Sequence, residues 1–190
     1  MNESPLLSVI RTMREQLLAE YGDIDPTPQK SREQMGRLLR NEAGIERYLH
    51  VTMSGSDDTF GTAVTRLVNT PRTLKHVLRH VDDSWKRLHG EVCLDDLLVS
   101  TILRAGAPEA FDFLLRRIDM LRMAPVGDSD SDKCASEKRR CVMREDWDAT
   151  SKTAEWDATS ALRLILFLFP NAAKSFGEER SVDGRVSPQG

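Results

Sequence analysis

The chain has 190 residues, enough for one domain or one domain with a tail; 39% are hydrophobic and 30% charged. Its 27 basic and 30 acidic side chains leave a formal charge of −3, which argues against a nucleic-acid binder, whose charge is usually basic and gathered on one face. Three cysteines (Cys93, Cys134 and Cys141) are not a disulfide framework, residues 1–10 lack a signal-peptide core, and the longest apolar run, 162–170, is broken by Arg163 and too short to cross a bilayer. These features predict a cytoplasmic chain, membrane-associated only through a partner or a parent chain.

Ser4-Pro5 opens a first helix, because serine caps and proline suits the first helical position. Leu6, Ile10, Met13, Leu17 and Tyr21 follow helical spacing, and Gly22, Pro26 and Pro28 end the element. A second helix is expected over 31–49, with a thinner apolar face of Met35, Leu38, Leu39 and Ile45. Residues 52–59 read as a loop, and Phe60, Val64, Leu67 and Val68 as a short helix. Thr70-Pro71 is the clearest start signal in the chain. After it Leu74, Val77, Leu78, Val81, Trp85 and Leu88 form one stripe, which Gly90 stops. Leu94, Leu97, Leu98, Ile102 and Leu103 predict an inward face on the next helix. Pro108 begins another, with Phe111, Leu114, Leu115, Ile118 and Leu121 expected on its buried side.

Residues 123–146 show little apolar content and no period, and read as a disordered linker. Trp147-Asp148-Ala149-Thr150-Ser151 then recurs nine residues later as Trp156-Asp157-Ala158-Thr159-Ser160, a local duplication rather than a solenoid. Residues 162–169 form a last helix before Pro170. With no alternating segment, the fold class is mainly α: an irregular helical bundle. It divides into an N-terminal helical segment (1–50), a helical domain (51–122), the linker (123–146), a C-terminal helix region (147–176) and a mobile tail (177–190).

Catalytic and metal-binding patterns are largely missing. There is no GxxxxGK(S/T) loop, no Gly-Lys pair and no GxGxxG. His76 and His80 stand one turn apart, but the metalloprotease Glu is absent and Arg79 and Arg72 would repel a cation, so the pair reads as a solvated helix face. Asp128, Asp130 and Asp132 alternate like a calcium loop. Lys133 and Arg139 replace its essential glycine and glutamate, leaving a solvated acidic cluster. Trp85 falls on an apolar stripe, as core residues do. Trp147 and Trp156 lie beside polar residues and are the candidate partner-binding anchors.

One ordered constellation stands out: Asn69-Thr70-Pro71-Arg72-Thr73-Leu74-Lys75, then Gly90-Glu91-Val92, Asp95-Asp96-Leu97-Leu98, and Ala107-Pro108-Glu109-Ala110-Phe111. It resembles the helical region that follows the nucleotide-binding core of KAP-type P-loop NTPases, with Leu166-Phe167-Leu168-Phe169-Pro170 similar to a later helix end of that family. The close likeness covers about 69–115, with a looser one to 176. The resemblance implies a lid-like role for 51–122, with Arg72 as a phosphate-sensing side chain and Lys75 as its weaker neighbour. A guanidinium suits that role, being always charged and forked. It also implies ATP and Mg2+, but only with an upstream half carrying the missing Walker motifs; no cofactor and no catalytic residue is expected in the chain alone. The alternative expectation is a stand-alone helical protein-interaction module with no enzymatic activity.

Overall fold

The computed structural model describes residues 4–21, 29–39, 60–123 and 130–176. Among these residues the fold is all-α, as the periodicity predicts. The helices are α1 (Pro5–Tyr21), α2 (Gln29–Leu39), α3 (Phe60–Leu67), α4 (Pro71–Leu88), α5 (Leu94–Gly106), α6 (Pro108–Arg122), α7 (Asp130–Ser151) and α8 (Ala158–Leu168), closed by a 3-10 segment, Pro170–Phe176. No described helix is long and apolar enough to cross a membrane. The expected second helix is seen only to Leu39; the predicted loop at 52–59 and the tail at 177–190 lie outside the described residues.

Two helices form the interior. Helix α8 buries seven consecutive residues, Ser160 to Leu166, and packs against α3, α5, α6 and the 3-10 segment. A helix buried on every side suits its run of leucine, isoleucine and phenylalanine. Arg163, which interrupts that run in sequence, is itself buried. Helix α5 is the second hub, touching α3, α4, α6 and α8 and burying Leu94, Leu98, Val99, Ile102 and Leu103. Its C-terminal end meets α3 without a side chain between them: a Cβ built on Gly106 would lie 2.5 Å from the Leu67 carbonyl oxygen. Only glycine permits that approach.

The N-terminal helices are tied to this interior by a buried ion pair. On α1 the buried stripe is Leu7, Ile10, Arg14 and Leu17, so a guanidinium occupies an apolar row. Arg14 Nε donates to Asp95 Oδ1 at 2.5 Å, and its Nη2 donates to Asp95 Oδ2 and to the Arg32 carbonyl, both at 2.9 Å. One fork thus joins α1, α2 and the first turn of α5. Asp95 also sits where the helix dipole favours an anion.

Two expectations are corrected. The linker expected over 123–146 is helical from Asp130 onward, as the larger part of α7. Among its described side chains the buried apolar groups form a narrow seam, Met143 and Trp147 one turn apart, with Trp147 against Phe113 of α6. That seam is too sparse for a periodic pattern but sufficient with the Arg117–Asp146 bridge at 2.5 Å. The buried face of α6 is also rotated. Ala110, Phe113, Leu114 and Leu121 are buried, whereas the expected Leu115 is 52% exposed and Phe111 and Ile118 are half-buried. The reason is that α6 must face both α5 and α7, which turns Phe113 inward.

Gly106→Ala is expected to lower unfolding stability by about 1–3 kcal/mol, since backbone, not a flexible side chain, must yield. Chemical denaturation followed by circular dichroism measures it; an unchanged midpoint would mean that α3 and α5 can separate freely.

Candidate functional site

The start of α4 is built by local chemistry. Thr70 adopts an extended backbone (φ −126°, ψ 149°), and its Oγ1 accepts a hydrogen bond from the Thr73 N–H at 3.1 Å, with Pro71 in the first helical turn. The cap satisfies one otherwise orphaned amide, and proline has none to satisfy. Val77, Val81, Ser84 and Trp85 turn toward the core, and α4 packs along α5. At the other end Gly90 takes a positive φ of 84°, which stops the helix.

This orientation leaves the opposite face in solvent. Arg72, Lys75, His76 and Arg79 are all exposed, spaced three, four and seven residues apart along one stripe. Arg72, Lys75 and Arg79 make no hydrogen bond or ion pair among the described residues. The charge changes sign one turn on, where Lys86 Nζ donates to Asp82 Oδ2 at 2.7 Å. That hydrogen bond, reinforced by the Asp82 charge, raises the Lys86 pKa. The first two and a half turns of α4 therefore carry positive charge with no partner among the described residues, beginning at a helix N-terminus, an arrangement suited to an anion.

The two histidines stack with ring centroids 6.3 Å apart. Among the described residues no cluster of His, Cys, Asp and Glu could hold a metal ion. Asp128 lies outside the described residues, and the backbone from Asp130 is helical where a calcium loop would turn. Cys141 is exposed and its thiol donates to Glu145 Oε1 at 3.1 Å. That bond and the carboxylate charge raise its pKa, so little nucleophilic thiolate forms near neutrality.

The second candidate site has a different character. Trp147 is only 6% exposed, so it is not a surface anchor. Its ring lies 5.2 Å from Phe113, 5.9 Å from Trp156 and 6.2 Å from Phe176. The four aromatics join α6, α7, the segment before α8 and the 3-10 end. Trp156 is half-buried, and its indole N–H donates to Glu109 Oε2 at 2.6 Å. The duplicated pentapeptide takes two roles here. Its first copy ends α7. In the second, Asp157 starts α8: Oδ1 accepts from the Ser160 N–H at 2.9 Å and Oδ2 from Arg66 at 3.0 Å. The structure thus brings Trp147 and Trp156 together in a core, and Arg72 and Lys75 together on an open face. Sequence reasoning missed Arg14 and Asp95; an arginine on the apolar stripe of α1 was the available signal.

No family profile, curated protein or solved structure matches this chain.

Trp147→Ala is expected to cost about 3–5 kcal/mol of stability, as loss of a packed aromatic does. Arg72→Ala should change stability by no more than about 0.5 kcal/mol. Thermal denaturation of the two variants checks the assignment of one residue to the core and the other to the surface; equal effects would contradict it.

Proposed function

We propose that this chain is a helical module that presents the start of α4 to a nucleotide's phosphates, the nucleotide being held by an upstream P-loop half. The observation that carries this reading is the open stripe of Arg72, Lys75 and Arg79, charged and without a hydrogen-bond or ion-pair partner among the described residues, at a capped helix start. The resemblance of 69–115 to KAP-type P-loop NTPases supplies the context, including the dependence on ATP and Mg2+ and on an upstream nucleotide-binding half. Arg72 suits the leading role because a guanidinium stays ionised and meets a phosphate with two parallel N–H donors. Lys75, one turn on, adds a second positive charge. The chain supplies no phosphate loop, so hydrolysis depends on the partner half. A stand-alone interaction module built on Trp147 and Trp156 is supported less well, because both rings are occupied by contacts within the chain.

The test is calorimetric titration of ATP with Mg2+ into the native complex purified through this chain. Arg72→Ala is expected to weaken ATP binding by about tenfold or more, in line with loss of a charge-assisted hydrogen bond. Arg72→Lys should retain part of the affinity. Unchanged affinity in Arg72→Ala would overturn the role of Arg72.

A further inference from the structure

We propose that the outward face of α6 is a homodimer surface, on which a second copy of this chain lays its own α6 antiparallel. The inference is independent of the nucleotide reading, which concerns α4. Pro108 starts α6, and Ala110, Phe113, Leu114 and Leu121 commit one side of it to the core. The other side keeps apolar groups in solvent. Leu115 is 52% exposed, and Phe111 and Ile118 are half-buried one turn to either side of it, with the Arg104 guanidinium 6.0 Å from the Phe111 ring centroid. Large apolar side chains gathered on one stripe mark a contact surface more often than scattered ones do.

The charges around that stripe identify its occupant. Asp112, Arg116, Asp119 and Arg122 are exposed and make no ion pair or hydrogen bond among the described residues. Read along the helix they alternate: acid, base, acid, base. A parallel copy in register would set like against like. An antiparallel copy that crosses at the level of Arg117 sets Asp112 opposite Arg122 and brings Arg116 within one residue of Asp119, each twice by symmetry. The same crossing brings Leu115 within one residue of Ile118 of the second copy. This self-complementarity is what a two-fold interface requires, since the same patch must serve both partners. One helix face is smaller than a standard interface, so the dimer is weak and exchanges with monomer.

Sedimentation velocity of the full chain from about 1 to about 300 μM, the range in which a small interface dissociates, tests this. The wild type is expected to rise from the mass of one chain to that of two. Leu115→Glu, on an exposed helix position, should keep its helical circular dichroism and stay monomeric throughout. Asp112→Arg should weaken association by about tenfold. Adding Arg122→Asp to it should restore association, because the swapped charges again meet across the two-fold axis. A wild type that stays monomeric, a dimer that persists in Leu115→Glu, or a double swap that fails to restore association would each overturn the proposal.

Discussion

The buried fork between Arg14 and Asp95 is the contact on which the arrangement of the helices turns. It takes a guanidinium and a carboxylate out of water, and it is sustained because both oxygens and the Arg32 carbonyl accept hydrogen bonds from one side chain. Removing one partner of such a pair costs about 3–5 kcal/mol, because the other is left charged and buried. The fork therefore specifies position: α1 and α2 sit where the donors of Arg14 reach the start of α5. Helix α5 in turn carries α4 along one side and α6 along another. The open faces of α4 and α6 are consequences of how α5 is seated.

The C-terminal half is organised chiefly by burial. Helix α8 is buried on all sides over Ser160 to Leu166, Arg163 included, and is accepted into a cleft between α3, α5 and α6. The aromatic group of Phe113, Trp147, Trp156 and Phe176 then joins α7 to α6 and to the 3-10 end. The duplicated pentapeptide shows how weakly a short sequence specifies its own conformation. Asp148 lies on a continuing helix, while Asp157 follows a turn and becomes a cap. Context, in the form of Arg66 and the turn before Trp156, decides between them.

Much of the helical order was legible in the residues. Thr70-Pro71, Gly90 and Pro108 mark boundaries through backbone chemistry that acts locally, and the structure uses each of them. The seam of α7 was not legible, because two buried side chains one turn apart, Met143 and Trp147, are all that its described side chains commit to the core, and they leave no period. The rotation of α6 was hidden for a related reason: one helix serving two neighbours mixes its apolar positions. The Arg14–Asp95 fork spans 81 residues, and no local pattern announces a partner at that distance. Of the candidate site, exposure of Arg72 and Lys75 follows from the stripe that α4 buries. The tryptophans could not be placed from sequence, because their burial depends on α7 being helical.

The functional account depends on proximity between the start of α4 and the terminal phosphate of a nucleotide. The most direct measurement is photolabelling of the native complex with Mg2+ and ATP bearing a photoreactive group on its γ-phosphate, followed by mapping of the labelled peptide. The account predicts label within residues 70–79, suppressed by excess ATP. Efficient labelling of the partner half with none on α4 would contradict it.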